Sequence, residues 1–381
     1  MVVQRLLKKA YVVVFMMVLF LPFLLAHREE NRIAADENRY YANVPRILGE
    51  NKKLNSNYIS EFEAWIDDNA RFRSLFRETK VTLLYKLFNY LDLEGARVGT
   101  NGEMYDTEEL AINTMQGRNL LSETELNSYE ENLYQLQQWL ANRDIDFYYM
   151  QCYHKITVLD EGYPRGLVRY DTEYIGENTE NFIMQKNRVN IVPLHDTMEM
   201  AAKEQNTYLR YIDWCHWNDA GMYLGYKSLI QAIQKKHPEV DYLKMEDYDI
   251  ALLESYKDVY GFRYPLVENV PSYQIKEVKA AEKECVFNDR LSTKAHTHYF
   301  ENPEQEKRIL VINDSFIRMG LKNHLAESFG ECLSVDMFNL SNIEWIIEEY
   351  KPDIVVLECV ETNISRVKEM LDNLECIKVA Q

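Results

Sequence analysis

Residues 308–320 read RILVINDSFIRMG. Ile309, Leu310, Val311 and Ile312 form an unbroken apolar run, mostly β-branched, with no polar alternation. A strand buried on both faces reads this way. Asn313, Asp314 and Ser315 follow at once, and beyond them Phe316, Met319, Leu321, Leu325 and Phe329 recur near helical spacing. The stretch therefore predicts a strand over RILVIN, a turn at Ser315 and a helix over 318–329. In an α/β fold that turn lies at the carboxyl edge of the sheet, where ligands bind. A serine placed there is exposed, and its own backbone N–H faces a developing oxyanion. The same residues also suit an Asp/Ser cap on an ordinary helix, and the stretch alone leaves both readings open.

The rest of the chain supports a layered α/β fold. Ser122 and Glu125 fit a capping box at the start of a helix over 122–142, with Leu133, Leu136, Trp139 and Leu140 as its buried stripe. IDFYYM (145–150) follows as a strand. NFIMQKN leading into VNIVPL repeats the pairing, and TMEMAAKEQN is a third helix. Further on come a strand at CLSVD, a helix over 341–350, a strand at DIVVLECV and a closing helix over 364–374. Alternation of this kind predicts a mainly parallel sheet with helices on both faces. Residues 58–90 read as one amphipathic helix, and VGTNGEMY (98–105) as a hairpin turning at Asn101-Gly102. Residues 238–307 are charged, contain Pro265 and Pro271, and break the alternation. They read as a long insertion or as short strands outside the main sheet.

Composition excludes some partners. A net charge of −18 over 381 residues disfavours nucleic acid, which is bound by basic surfaces, and anionic lipid surfaces likewise. The 27 tyrosines read as packing, with stacking on sugar rings as the second possibility. Residues 10–26, AYVVVFMMVLFLPFLLA, are apolar throughout and span roughly 25 Å as a helix, the short end for a membrane crossing. Arg5, Lys8 and Lys9 precede the run, so an uncleaved anchor would leave the N-terminus in the cytoplasm and the body outside. A signal peptide cleaved near Ala26 is the alternative. Both place the body outside the cytoplasm. The six cysteines show no CxxC pair and no zinc spacing. Few disulfides, or none, are expected, since Cys332 and Cys359 fall in strand-like segments. No metal or organic cofactor is called for.

A second unusual place is YLRYIDWCHWNDAGMYLGYKSLI, 208–230. Asp213 and His216 stand three apart between Trp214 and Trp217, just before a helix opening at Asn218 or Asp219 with Met222, Leu229, Ile230 and Ile233 inward. Asp213 in that position reaches the imidazole and fixes its tautomer, as the third member of a Ser-His-Asp triad does. A packed aromatic corner with a solvated histidine is the structural alternative. Serine acyl transfer needs a nucleophile, a base within hydrogen-bond reach and an orienting carboxylate. Ser315, His216 and Asp213 supply those three types at ends of elements in one α/β pattern.

These blocks resemble known ones. NDSF resembles the Gly-Asp-Ser block of the SGNH (GDSL-type) hydrolases, and DWCH their Asp-x-x-His block, with the His block here before the Ser block, the reverse of the usual order. That permuted order, with HWNDAGMYLGY, looks like the DHHW family and its relatives, the SGNH-like domains of alginate O-acetylation proteins. DENRYYANVP (36–45), FEAWIDDNARFR (62–73), HKITVLDEGYP (154–164) and KPDIVVLECVETN (351–363) agree with it. The resemblance implies an SGNH-hydrolase-like sandwich. It makes Ser315 the nucleophile, His216 the general base and Asp213 its orienting partner. Asn313 stands where the family has glycine, and Trp214 where it often places the aspartate. A local bulge must then carry Asp213 to His216, or the triad is incomplete.

The expected organisation is a membrane anchor or signal segment (1–27), a linker and helical lead-in (28–94), and an SGNH-like domain (95–381) with an insertion at about 238–307. The expected function is extracytoplasmic acyl transfer to, or ester hydrolysis on, a surface glycan through an acyl-Ser315 intermediate. D-alanine transfer to teichoic acid shares that chemistry. A multi-pass membrane acyltransferase is the expected partner. The Ser315 N–H supplies one oxyanion donor. Asn363, Asn313 and Asn218 compete to supply the second, and Trp217 flanks the substrate. The alternative class is an inactive glycan-binding or scaffold protein of an export complex.

Overall fold

The structure is a computed structural model. It describes residues 2–378 apart from 31–32, 35–38, 49–51, 94, 160, 171–172, 259–261, 263–264, 286–289 and 292–295. It divides into two compact units, Met1–Leu91 with Lys257–Leu266, and Asp92–Tyr256 with Val267–Gln381.

In the first unit the apolar run lies in a helix, Val2–Leu24. Leu7–Leu24 has a mean hydropathy of 2.0 and is long and apolar enough to cross a membrane, a test a signal sequence also passes. The end of this helix is tied to the segment that follows the next one. The His27 N–H donates to the Asn69 carbonyl, and the Arg71 N–H to that of Pro22, both at 3.0 Å. The single helix expected over 58–90 is two, Tyr58–Asn69 and Arg73–Phe88. Between them Ala70 is extended and Phe72 takes a left-handed backbone (φ +66°), which ends the hydrogen-bond ladder. Residues 36–38 of DENRYYANVP lie outside the described set; Arg39–Tyr40 form a short strand.

The second unit is built on a seven-stranded sheet. Its strands are β1 (Asp146–Cys152), β2 (Ile191–Val192), β3 (Ala281–Lys283), β4 (His298–Glu301), β5 (Arg308–Asn313), β6 (Glu331–Asp336) and β7 (Ile354–Val360), in the spatial order β3-β4-β6-β5-β7-β1-β2. From β6 to β2 the neighbours are parallel; β3 and β4 add antiparallel at one edge. The apolar run of β5 lies in the middle, with Ile309 paired to Cys332 on one side and Ile354 on the other.

Two helical layers explain why β5 needs four apolar residues in succession. Leu310 and Ile312 pack with Phe147, Tyr149, Val355 and Leu357 under helices α1 (Glu123–Ala141), α7 (Ile343–Tyr350) and α8 (Ile364–Asp372). Ile309 and Val311 face the other way, with Tyr148, Met150 and Val356. Helices α4 (Asp219–Gln234) and α6 (Leu321–Ser328) cover them there. All four residues of the run are fully buried. Each strand side chain points opposite to the last, so a strand sandwiched between helical layers has no polar face. Helices α2 (Ile175–Lys186) and α3 (His195–Glu204) lie on the connection around β2, and α5 is the single turn Ser315–Arg318.

Several boundaries moved. The predicted capping box is present, with the Ser122 hydroxyl and Glu125 carboxylate bonded to each other's backbone N–H. VNIVPL yields only the two-residue β2 before Pro193, which has no N–H for a ladder. The helix expected over 318–329 is broken into α5 and α6 at Gly320, whose φ of +102° suits glycine alone. Residues 98–105 do form a hairpin, with Val98 opposite Met104 and Gly102 at φ +86°. Residues 238–307 do not all lie outside the main sheet. They contain a hairpin of Tyr248–Lys257 and Leu266–Ile275, but β3 and β4 join the sheet edge. Cys152, Cys215, Cys332, Cys359 and Cys376 are free thiols.

Candidate active site

Ser315 opens α5 directly beyond β5, at the carboxyl edge of the parallel strands. Asp314 holds this elbow. One of its carboxylate oxygens caps the turn by accepting the Phe316 N–H at 3.1 Å. The other accepts the Val360 N–H at 2.7 Å and the Asn363 amide at 3.0 Å. The Asp314 N–H in turn donates to Glu358 Oε2 at 3.0 Å. The Ser315 elbow is thus stitched to the end of the neighbouring strand β7. As first residue of the turn, Ser315 presents an N–H that needs no intrahelical acceptor.

The Ser315 hydroxyl lies 2.9 Å from His216 Nε2. On the far side of the ring, Nδ1 lies 3.1 Å from both carboxylate oxygens of Asp213. An ionised carboxylate only accepts, so Nδ1 carries the proton and Nε2 keeps its lone pair for the serine. Burial pushes the Asp213 carboxyl up, but the hydrogen bond and charge of His216 and the backbone N–H bonds outweigh it and hold the group far below the usual carboxylate range. The bulge required by the shifted aspartate is present. Asp213 Oδ1 also accepts the backbone N–H groups of Cys215 (2.8 Å) and His216 (2.9 Å), curling the four residues into a turn around the carboxylate.

Two groups that the sequence reading passed over hold this loop. The Lys155 side chain is fully buried, and its ammonium donates to the carbonyls of Leu209 (2.8 Å), Arg210 (3.3 Å) and Asp213 (2.7 Å). Burial lowers its pKa to about 8, against the raising effect of Asp213, Glu103 and Glu268. From the hairpin, the buried Glu268 carboxylate accepts the N–H groups of Arg210 (2.9 Å), Tyr211 (2.8 Å) and Ile212 (3.3 Å). A cation on the carbonyls and an anion on the amides clamp one short segment. The signal for Lys155 was a lysine inside the apolar HKITVL; Glu268 carries no local signal, because its partners lie some 57 positions away in sequence.

No family model matches the sequence, and no curated protein matches it. Solved structures do. A DHHW family protein from Eubacterium siraeum DSM 15702 aligns with a TM-score of 0.52 at 14% identity, over 75% of this chain and 97% of that one. Bacillus cereus PatB1 aligns with a TM-score of 0.50 at 16% identity, over 72% and 96%. The O-acetyltransferase domain of Pseudomonas putida AlgJ gives 0.45 at 11% identity, over 73% and 99%. This chain has the fold of a DHHW family protein.

Within that DHHW-type fold the other expected site residues fall into place differently. Asn218 is fully committed. Its carbonyl oxygen caps α4 by accepting the Ala220 and Gly221 N–H groups, and its amide donates to the carbonyls of Asn206 and Tyr208. It has no donor left for an oxyanion. Asn313 is buried in the sheet, where it accepts from the Ser334 hydroxyl (2.7 Å) and donates to the Asp314 carbonyl (3.0 Å). It keeps ordinary backbone where a glycine was expected, and stiffens the elbow instead of facing substrate. Trp217 is completely buried and donates from Nε1 to the Phe316 carbonyl at 3.2 Å, so it braces the elbow and does not line a substrate groove. Asn363 is half-buried; its amide bonds Asp314 and its oxygen accepts from Arg366. An amide group carries two hydrogens, so Asn363 alone of the three asparagines has an accessible donor to offer.

Asp213, Cys215 and His216 also place ligand atoms within 4.8 Å of one another. Metal capture there would take His216 Nδ1 from Asp213 and would require the Cys215 thiolate. Burial and the Asp213 charge push that thiol's pKa up.

Proposed function

We propose that this chain is an SGNH-type serine acyltransferase or esterase, with its His block ahead of its Ser block, acting outside the cytoplasm on a surface glycan while anchored through residues 10–26. The observation that carries the reading is the continuous line Ser315 Oγ, His216 Nε2, His216 Nδ1, Asp213. His216 takes the hydroxyl proton as Ser315 Oγ attacks the acyl carbon. Asp213 steadies the imidazolium, and the Ser315 N–H with the Asn363 amide receives the oxyanion. Such a preorganised donor lowers the barrier by about 3 kcal/mol. His216 then protonates the departing group, leaving acyl-Ser315. In the second half a sugar hydroxyl or water gives its proton to His216 and attacks the ester, and Ser315 Oγ regains a proton from His216. A multi-pass membrane acyltransferase supplying the acyl group fits an anchored enzyme with no cofactor of its own.

The test is covalent labelling by a serine-reactive sulfonyl fluoride. A label mapping to Ser315, and lost in His216→Ala, supports the enzyme. Folded protein that stays unlabelled overturns it and leaves a binding-only scaffold. Protection of the body from protease added to intact cells would overturn the localisation.

A further inference from the structure

In the first unit, the end of the apolar helix and the corner between the next two helices form one place. The His27 N–H reaches the Asn69 carbonyl and the Arg71 N–H that of Pro22. The Arg71 guanidinium also donates to the His27 ring at 2.9 Å. Pro22 is buried under this corner, alone among the residues of the span Leu7–Leu24. It lies two residues from the end of that span, where an acyl core would give way to headgroups.

The helix Arg73–Phe88 leaves from this corner, and none of its residues is buried. Phe72, Phe76, Leu83 and Leu87 recur at intervals of four, seven and four, which puts them on one face of a helix. They are between 43% and 67% exposed. The Phe72 and Phe76 rings meet edge to face at 6.5 Å, so Phe72 joins the stripe although its backbone is left-handed. The helix is about 24 Å long, and an apolar stripe running along it in the open marks an interaction surface. Two features select lipid over protein. The stripe begins at Phe72, next to the amide that holds Pro22, so it starts at the level where the span ends. Residues 71–90 also carry Arg71, Arg73, Arg77, Lys80 and Lys86 against Glu78 alone, a net +4 in a chain of −18. At about 100° per residue, the exposed Lys80 and Lys86 fall on the two flanks of the stripe. A long cationic side chain there keeps its stem on apolar surface and its ammonium among phosphates.

We propose that the helix Arg73–Phe88 lies in the headgroup layer of the membrane at the exit of the segment 10–26. Phe72, Phe76, Leu83 and Leu87 turn into the acyl boundary, and Lys80 and Lys86 meet lipid phosphates. The placement rests on the anchored reading of residues 10–26, and contact between the helix and lipid is tested apart from it. A second copy of the chain, or a membrane protein, is the rival occupant of the stripe.

The experiment is photo-crosslinking of the full chain in vesicles of phosphatidylcholine and phosphatidylglycerol. A benzophenone amino acid replaces Val14, Ser74, Phe76 or Leu83, one per variant, with circular dichroism confirming the helices. Phospholipid adduct at Phe76 and Leu83 is expected to exceed that at Ser74, an exposed residue on the opposite face, by roughly tenfold. Lys80→Glu should lower the adduct at Phe76 several-fold, and an unchanged yield overturns the phosphate contact. Labelling of lipid at Val14 but not at Phe76 or Leu83 overturns the proposal and keeps the anchor. Lipid adducts at Phe76 and Leu83 with none at Val14 remove the anchor and leave this helix as the membrane contact. Crosslinks from Phe76 to a second copy in place of lipid overturn the proposal in favour of a dimer. The same variants irradiated in cell membranes should again yield lipid adducts; adducts to another protein there overturn it in favour of a membrane-protein partner.

Discussion

The ammonium of Lys155 donates to the main-chain carbonyl of Asp213 at 2.7 Å, while the carboxylate of the same aspartate holds His216 at 3.1 Å. The residue whose carboxylate holds the His216 ring is therefore itself held, through its carbonyl, by a buried cation. Glu268 completes the arrangement on the amides of residues 210–212. This explains how an aspartate three positions from the histidine reaches its ring: the segment is fixed by long-range partners and not by its local spacing.

Lys155→Met removes three donors and leaves the carbonyls of the Asp213 loop unpaired. Hydrolysis of p-nitrophenyl acetate is expected to fall roughly 10- to 100-fold in kcat, with KM little changed, since charged hydrogen bonds of this kind are worth about 1.5–3 kcal/mol. Lys155→Arg should not rescue it, because the compact, closed site has no room for a planar fork. Full kcat in a folded Lys155→Met would show that the loop holds Asp213 without the clamp.

The same lysine gives a pH signature. Its pKa is about 8 when folded against an ordinary 10.5. Between those values the unfolded chain binds more protons than the folded one, so stability rises with pH across that window. Burying the ammonium is a cost that is present in full below pH 8 and is relieved as pH climbs. Relative to Lys155→Met, the parent chain should gain stability from pH 8 to 10.5 with a slope of at most about 1.4 kcal/mol per pH unit. Parallel melting curves for the two proteins would contradict this.

Asp213→Asn offers the imidazole an amide in place of an acceptor-only carboxylate. Comparable triads lose about four orders of magnitude in kcat this way. His216→Ala should cost a similar amount, and the double variant little more, because the members act as one unit. Near-full activity in Asp213→Asn beside an inactive His216→Ala would reduce the triad to a Ser-His dyad.

Gly320→Ala probes the break between α5 and α6. At φ +102° an alanine is strained, while its Cβ would meet only Met222 at 3.5 Å, an ordinary contact. A loss of about 1–2 kcal/mol in urea unfolding is expected. No loss would mean that the turn relaxes freely, and the elbow with it.

Much of the fold was legible because burial imposes pattern. The unbroken run of β5, the capping box of α1 and the stripe of α4 each record a face packed against a neighbour. The misread elements share a cause. The long helix over 58–90 and the helix over 318–329 both contain a left-handed residue that periodicity does not register. Strands β3 and β4 are short and half-polar, and β3 is exposed throughout, so they looked like insertion.

The sequence by itself determined the strand–turn–helix at Ser315 and the residue types brought together there, because hydrogen-bond chemistry and hydrophobic period are local properties of the chain. Only the tertiary structure decided that Ser315 Oγ, 99 residues from His216, comes within 2.9 Å of its Nε2. It also decided that Asn218, Asn313 and Trp217 serve the scaffold, and that Lys155 and Glu268 hold the Asp213 loop. Those roles depend on which atoms remain unpaired once the sheet has closed, and a chain's pairing with distant segments leaves no mark on its own periodicity.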